Sequence, residues 1–325
     1  MTRAPADGRF EFLSGAWIEE AARFVRNAAP DVRFTLCETF TDPPPGIGGA
    51  WHVRVGGGAV EAGPGEIQDA DLRVSGDYQG MLAMVQTVYA AGRDAMDRAR
   101  REMVHRHGPG VMRMEGSAPA AMHPVLAGLH DHMAARTIEN PHLGHRAARL
   151  GLARHVAEFK ERGHTVIERA ISEAFADELR ERVQSESRAP DAGGLLARHR
   201  LFEEIALHPL ARTAAHGLLG PDMILRGLSA SDAPSQVPDA LVVVASWVLD
   251  DRGLSLPKGS VVLRDDRSTR PPEAQDVPIT ITAVYAHPST GPADGFGSVG
   301  EECLRRNPPA FRTLLGLDRA AAETP

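Results

Sequence analysis

The stretch from Ala240 to Leu263, which reads ALVVVASWVLDDRGLSLPKGSVVL, decides the fold of the second half of this 325-residue chain. It contains two apolar, β-branched runs, at 241–249 and 261–263. Between them lie aspartates, glycines and a proline, the residue types that end strands and form turns. The pattern therefore predicts two strands joined by a turn at the centre of a β domain. We expect the acidic pairs 250–251 and 265–266 to be solvated turn carboxylates.

Length and composition indicate two domains and exclude several classes of function. With 42% hydrophobic residues, 325 residues suffice for two domains that each bury a core. The net charge of −7 predicts that nucleic acid is not a partner. No run approaches the roughly 18 apolar residues of a membrane span, and the N-terminal residues lack the apolar core of a secretory signal. We therefore expect a cytoplasmic protein in which Cys37 and Cys303 are unpaired thiols.

Only two lysines, Lys160 and Lys258, accompany many arginines, alanines, glycines and prolines. This bias is typical of GC-rich bacterial coding and indicates origin rather than function.

Residues 10–140 alternate between helical and strand patterns. Ser14 is placed to cap a helix whose apolar residues recur at helical spacing from Trp17 to Val25. Strands are predicted at 32–40, 51–55, 72–74 and 111–114, with a hairpin turn at 56–58. Helices are predicted at about 78–105 and 119–138.

Four passages in this region resemble the sterol carrier protein 2-like family. They are FLSGAWIE at 12–19, WHVRVGGG at 51–58, ADLRVSGDY at 70–78 and VMRMEG at 111–116. The chain departs from the family pattern between Gly92 and Gly110, where it carries extra charged helix. The resemblance covers 10–140 and implies an α/β sandwich that encloses a hydrophobic tunnel between its sheet and its C-terminal helices.

The second half resembles the phytanoyl-CoA dioxygenase family at its start, middle and end. The matching parts are a helix, Gly163, a short strand and a Ser172-capped helix within 155–183, the central stretch 240–263, and FRTLLG at 311–316. This resemblance implies a reduced double-stranded β-helix, or jelly roll, with helices at 150–325. The predicted fold class is therefore α+β, a sterol-carrier-like sandwich followed by a degenerate oxygenase-like domain.

The iron motif of that oxygenase family is missing from this chain. Non-haem iron oxygenases hold Fe(II) with two histidines and one carboxylate. Where the family has His-X-Asp before its central strand, this chain has Gln236-Val237-Pro238-Asp239. Asp232, Asp239 and His287 remain as candidate ligands, and we expect no metal and no cofactor. Iron and 2-oxoglutarate enter only under an alternative in which Asp239 and His287 carry catalysis.

Half of the 14 histidines lie between His105 and His145. The pairs 105/107 and 130/132 have an i, i+2 spacing, which on a helix points the two rings about 200° apart. Such pairs cannot share one metal ion, so we expect solvent-facing or interface histidines.

Methionines and other apolar residues of 10–140 form a candidate ligand pocket. Methionine tolerates different ligands because its thioether side chain is flexible and polarisable. The same pattern also fits an ordinary core. The candidate pocket residues are Trp17, Phe24, Met81, Met84, Val85, Val88, Met112, Met114, Leu126, Leu129 and Met133.

The sequence leaves three classes of function open. The first is a carrier that binds a lipid, sterol or acyl chain in its N-terminal domain, with no iron expected in the second domain. The second is an enzyme on a hydrophobic substrate, either an atypical iron oxygenase or a metal-free cyclase or isomerase. The third is an assembly protein that forms a homo-oligomer or docks onto another protein.

Overall fold

The computed structural model of this chain describes residues 9–28, 33–108, 111–116, 124–138, 142–186, 195–230, 241–250, 256–266, 280–290 and 299–317. The chain divides into two compact units. The first runs to His142 and includes 306–310, and the second contains 143–305 and the residues from 311 onward. Residues 306–310 thus group with the first unit, whereas the predicted ranges place them in the second.

The first unit packs helices on a mixed sheet. In chain order its elements are α1 (Gly15–Ala28), β1 (Phe34–Thr41), β2 (Ala50–Gly56), β3 (Ala59–Pro64), β4 (Leu72–Asp77), α2 (Tyr78–Val85), a 3-10 turn (Tyr89–Ala91), α3 (Arg93–His107), β5 (Met112–Gly116) and α4 (Pro124–Ala134). The strands form one sheet in the order β3-β2-β1-β4-β5, in which β1 and β4 are parallel and the other neighbours antiparallel. The hairpin predicted at the three glycines is confirmed between β2 and β3.

Alternation along β1 gives the sheet one apolar inner face. Phe34, Leu36 and Phe40 are buried at alternate positions of this strand. In β2 the buried partners are Val55 opposite Phe34 and Val53 opposite Leu36. Since alternate residues of a strand point to the same side, these side chains form the floor of the core under the helices.

Helix α1 begins as the sequence predicts. The Ser14 hydroxyl accepts a hydrogen bond from the Trp17 backbone N–H at 3.2 Å, so the predicted cap is confirmed. The helix buries Trp17, Ile18, Ala21 and Val25 in the core.

The single helix predicted at about 78–105 is wrong, because the chain forms α2, the 3-10 turn and α3 instead. Gly92 adopts a φ of 99°, outside the helical region. The N–H groups of Tyr89 and Ala90 bond to the Asp131 carboxylate of α4 rather than to preceding carbonyls. A tertiary contact therefore replaces the helical hydrogen bonds at this break.

The second unit also combines helices with one described sheet. Its elements are α5 (Leu143–Arg149), α6 (Ala153–Arg162), β6 (His164–Ile167), α7 (Glu173–Glu186), α8 (Arg200–Ala206), α9 (Pro209–Leu219), β7 (Ile224–Ser229), β8 (Val242–Val248), β9 (Val261–Asp265), β10 (Thr280–Ala286), α10 (Glu301–Arg305) and α11 (Pro309–Leu314), with 3-10 turns at Leu195–Ala197 and Pro288–Thr290. The sheet order is β6-β9-β8-β10-β7, and all its neighbours are antiparallel.

The two strands predicted from the central stretch are β8 and β9, which pair antiparallel. Every residue of β8 is buried, which explains why its sequence is a continuous apolar run rather than an alternating one. One side of the strand, with Val243, Ala245 and Trp247, joins the core under the helices. The other side, with Val242 and Val244, belongs to a second apolar cluster.

Asp250 and Asp266 are not the solvated turn carboxylates that we predict, and Asp251 lies outside the described residues. Asp250, the residue two positions after β8 ends, is only 1% exposed. Asp266 makes an ion pair with Arg264 at 3.3 Å, and both side chains are 10% exposed. The apolar run continues through the buried Leu249, so the chain has not yet reached the surface when it arrives at Asp250.

The described residues establish an α+β fold with one mixed and one antiparallel sheet. The jelly-roll arrangement of the second unit remains a prediction. Cys37 and Cys303 are buried, and neither takes part in a disulfide bond. Among the described residues, no helix has both the length and the apolar character needed to cross a membrane.

Candidate ligand-binding site

One row of residues crosses the inner face of the first sheet at the level of Glu38. The register pairs Glu38 of β1 with Trp51 of β2 on one side and with Val74 of β4 on the other. Val74 in turn pairs with Met114 of β5. Glu38 occupies the position in the β1 alternation between Leu36 and Phe40, so it places a carboxyl group on the otherwise apolar face.

The Glu38 carboxyl is held by one indole. The Trp51 Nε1–H donates to Glu38 Oε2 at 2.7 Å. The Trp51 ring is in turn fixed by Trp17 of α1, whose ring centroid lies 5.1 Å away in an edge-to-face arrangement. Burial raises the pKa of the Glu38 carboxyl, and the hydrogen bond from Trp51 only partly opposes this change. The side chain nevertheless remains half-buried, so part of its surface is not covered by protein.

Tyr89 lies in the 3-10 turn between α2 and α3. Burial is the main cause that raises the pKa of its hydroxyl to about 12, and the charges of Glu38 and Asp131 add to the effect. The Tyr89 ring stacks on His130 of α4, with centroids 3.8 Å apart and planes 17° apart. This stacking and the Asp131 hydrogen bonds to the turn fix the position of the tyrosine relative to α4.

His130 is a neutral packing residue at this place. Its Nε2–H donates to the Thr87 carbonyl oxygen at 2.8 Å, because a carbonyl can only accept. Burial lowers the pKa of His130, and the hydrogen bond to Thr87 only partly offsets that effect. The imidazole therefore supports Tyr89 without adding a positive charge.

A second polar group joins α1 and α4. Glu20, 5% exposed, accepts a hydrogen bond from His132 Nε2 at 2.7 Å, and it forms ion pairs with Arg136 Nε at 3.1 Å and with Arg23. Burial would raise the pKa of Glu20, but the hydrogen bonds from His132 and Arg23 outweigh it and hold this pKa below its ordinary value. All three partners bind this one carboxylate, so we assign the group to helix packing.

Most candidate pocket residues lie in or against the core of the first unit. Trp17, Met81, Met84, Leu129 and Met133 are buried members of that core, and Val88 is buried as well. Four others pack against the core while keeping part of their surface accessible: Phe24, Val85, Met112 and Leu126. The half-buried members come from four different elements, α1, α2, β5 and α4.

Met114 does not fit an enclosed pocket. Met114 is 48% exposed, because β5 is an edge strand of the sheet. The sequence places Met112 and Met114 on one face, but it does not reveal that this face ends at Met114.

The histidine-rich segment contains no described metal cluster. His105 and His107 lie in the last turn of α3, and His130 and His132 lie within α4, as we predict. Within the described ranges, no group of three or more His, Cys, Asp or Glu side chains could hold a metal ion. His123 lies outside those ranges.

The candidate catalytic residues of the second unit are not brought together in the described structure. His287 is exposed just after β10, and its Nδ1 lies 2.8 Å from the Ser289 hydroxyl. Asp232 and Asp239 lie outside the described residues. Elsewhere in this unit the buried Cys303 thiol donates to Glu203 at 3.1 Å, and the buried His208 ring packs edge-on against Trp247 with ring centroids 4.7 Å apart.

Sequence reasoning missed Glu38 and Tyr89, although the signal for Glu38 was present. In FTLCETF (34–40) the first, third and seventh residues are apolar, and the fifth is a carboxylate at the same alternation. A charged residue in phase with a buried strand face is rare unless it is paired or functional. Tyr89 carries no such signal, because its position depends on the break after α2.

No family model and no curated protein matches this chain, whereas several solved structures do. A crystal structure of the non-heme alpha ketoglutarate dependent epimerase SnoN from nogalamycin biosynthesis is 14% identical, with a TM-score of 0.32, covering 42% of this chain and 83% of that one. A crystal structure of sterol carrier protein 2 is 17% identical, with a TM-score of 0.27, covering 39% of this chain and all of that one.

A possible sterol carrier protein from Thermus thermophilus is 18% identical, with a TM-score of 0.24, and the match covers 38% of this chain and 85% of that one. Both resemblances stated from the sequence therefore have counterparts among solved structures.

Proposed function

We propose that the first unit binds one hydrophobic small molecule, a lipid, a sterol or an acyl chain, between its helices and the inner face of its sheet. The supporting observation is a set of apolar side chains that pack against the core but keep accessible surface: Phe24, Val85, Met112 and Leu126. These side chains pack against the same core as the sheet face on which Glu38 is half-buried.

Apolar burial would drive this binding. Each Å² of apolar surface removed from water contributes about 25 cal/mol before the cost of ordering the ligand. Met81, Met84 and Met133 line the same core, and their flexible side chains can repack around ligands of different shape. This chemistry favours a ligand class defined by hydrophobicity rather than by one fixed shape.

The second unit, in our proposal, is an oxygenase-derived scaffold that works without iron. Two observations support it: the segment Gln236-Val237-Pro238-Asp239 stands where the family has its His-X-Asp motif and contains no histidine, and His287 bonds to Ser289 at the surface. Metal analysis of protein purified without chelator, together with a 2-oxoglutarate turnover assay, tests this part. Stoichiometric iron with succinate formation would instead support the enzyme alternative through Asp239 and His287.

A space-filling substitution tests the binding site. Leu126→Trp adds a large ring to the half-buried face of α4, so it should weaken binding of a fluorescent fatty acid or sterol by at least about tenfold, which is about 1.4 kcal/mol. Fluorescence titration of the full chain measures this affinity, and circular dichroism reports folding.

Leu218→Trp is the matched control, since Leu218 is equally half-buried but packs against the core of the second unit. It should leave the affinity unchanged. Equal loss in both variants, or no loss in Leu126→Trp, would contradict the proposed location.

A further inference from the structure

The first sheet ends at β5 in an edge that pairs with no described strand. Strand β5 is the last in the sheet order, and its other side is bonded to β4. Its residues 113–116 are all exposed. An edge strand carries backbone N–H and C=O groups that point away from the sheet, and these groups can pair with a strand of another chain. This edge is therefore a place where a partner strand can add to the sheet.

The opposite edge of the sheet, strand β3, is better protected than β5. Strand β3 ends in Pro64, which has no N–H group to donate, and helix α1 lies against the strand. Strand β5 contains no proline. It also carries Met114, which is 48% exposed and is the one exposed large hydrophobic side chain of the described residues. An apolar side chain on an uncovered edge strand favours association with another strand.

The sequence of β5 is self-complementary when two copies run antiparallel. Arg113 and Glu115 flank Met114, so opposite charges lie at equal distances from the centre of the strand. Both charged side chains are exposed on the sheet face opposite to Met114, and Arg113 Nε lies 2.7 Å from Glu115 Oε1. Met112 and Gly116 form the outermost pair, in which the glycine has no side chain to obstruct the methionine.

We propose that two copies of this chain associate through antiparallel pairing of their β5 strands, with Met114 at the two-fold centre. In this register Arg113 faces Glu115 of the second copy, and Glu115 faces Arg113 of the second copy. Opposite charges placed directly across an antiparallel pair stabilise it. The two copies of Met114 cover each other, and the two sheets join into one continuous sheet. This pairing is independent of ligand binding by the first unit.

The charges of β5 select this register. Directly opposed residues of an antiparallel pair lie on the same face, so a two-fold axis through the shared edge passes between equivalent residues. A centre at Arg113 would place two arginines opposite each other, and a centre at Glu115 would do the same with two glutamates. Like charges directly opposite each other are destabilising. Among the three central residues, only Met114 avoids both repulsions.

The association is weak, because the shared edge is short. Strands of five residues bury well below the about 1,200 Å² of a stable protein interface, so we expect a dissociation constant of about 10 to 100 µM. Sedimentation velocity of the full chain from about 5 to 500 µM measures this constant. The average mass should rise with concentration toward twice the mass of the polypeptide.

Two charge reversals test whether the strands pair in this register. Arg113→Glu and Glu115→Arg, made separately, each place two like-charge pairs across the shared edge. Each variant alone should associate at least about tenfold more weakly than the wild type. A one-to-one mixture of the two variants should associate about as strongly as the wild type, because every charge again faces its opposite. The ion pair within one strand is broken in both variants, so recovery in the mixture reports on pairing between chains.

Glu61→Arg is the matched control, since Glu61 is an exposed carboxylate of β3 at the opposite edge and undergoes the same change of charge as Glu115. It should keep the wild-type dissociation constant, and circular dichroism checks that every variant folds. A wild type that stays monomeric up to about 500 µM would overturn the proposal. Single variants that associate as strongly as the wild type, or a mixture that fails to associate although the wild type does, would overturn it as well.

Discussion

Glu38 places an ionisable group on a sheet face that otherwise supports a core. Its neighbours across the sheet are Trp51 and Val74. Along β1, the neighbours on the same face are Leu36 and Phe40, and both are buried. Burial raises the pKa of its carboxyl group. Nothing in helix packing requires this charge, whereas the Glu20 group, with its pairs to His132 and Arg136, clearly joins two helices.

The pKa of Glu38 predicts how pH acts on stability. A folded-state pKa above the unfolded value of 4.5 stabilises the protein fully below pH 4.5, and that contribution is lost as pH rises through the folded pKa. Glu38→Gln should therefore raise the melting temperature of the ligand-free protein by about 3 °C at pH 8 and by much less at pH 4.

Thermal unfolding followed by circular dichroism at both pH values measures this difference. Glu61→Gln, at a carboxylate that is 65% exposed, should change the melting temperature little at either pH. A lower melting temperature of Glu38→Gln at pH 8 would contradict the role of burial.

At the scale of elements, local patterns explain most of the fold. The Ser14 cap, the glycine hairpin between β2 and β3, and the apolar runs of β8 and β9 all follow from residues close in sequence. Two features do not follow from nearby residues. The helix ends after α2 because the chain contacts Asp131, which is distant in sequence, and Asp250 is buried because other parts of the chain cover it. The position of Tyr89 shares this limit, because it depends on contacts with Asp131 and His130 of α4.

The turn before β9 depends on a glycine. Gly259 has a φ of +85°, and a Cβ there would lie 2.4 Å from the Ile171 carbonyl oxygen. Gly259→Ala should lower the free energy of unfolding by about 3 kcal/mol, as judged by chemical denaturation, from backbone strain plus the clash.

Gly220→Ala isolates the strain alone, since Gly220 has a φ of +93° and nothing lies within 4 Å of its added Cβ. Its loss should be about 1 kcal/mol. Equal losses in both variants would show that the contact with Ile171 is unimportant.

At the scale of the whole molecule, two units with separate cores share one chain. The sheet of the first has an inner face that carries the half-buried Glu38, and the sheet of the second contains β8 and β10, which are buried along their full length. A sheet that is buried on both faces suits a scaffold, as in the second unit. A sheet face that is only partly covered suits ligand binding, as in the first unit. This difference supports placing hydrophobic binding in the first unit.

Native mass spectrometry of the full chain, purified from cells without detergent, tests the central claim most directly. We expect a bound species heavier than the polypeptide by the mass of one lipid-like molecule, which organic extraction removes and which returns when that extract is added back. Leu126→Trp should lack the bound species, whereas Leu218→Trp should keep it. A polypeptide that carries no extra mass and takes up no lipid after incubation with one would contradict the claim.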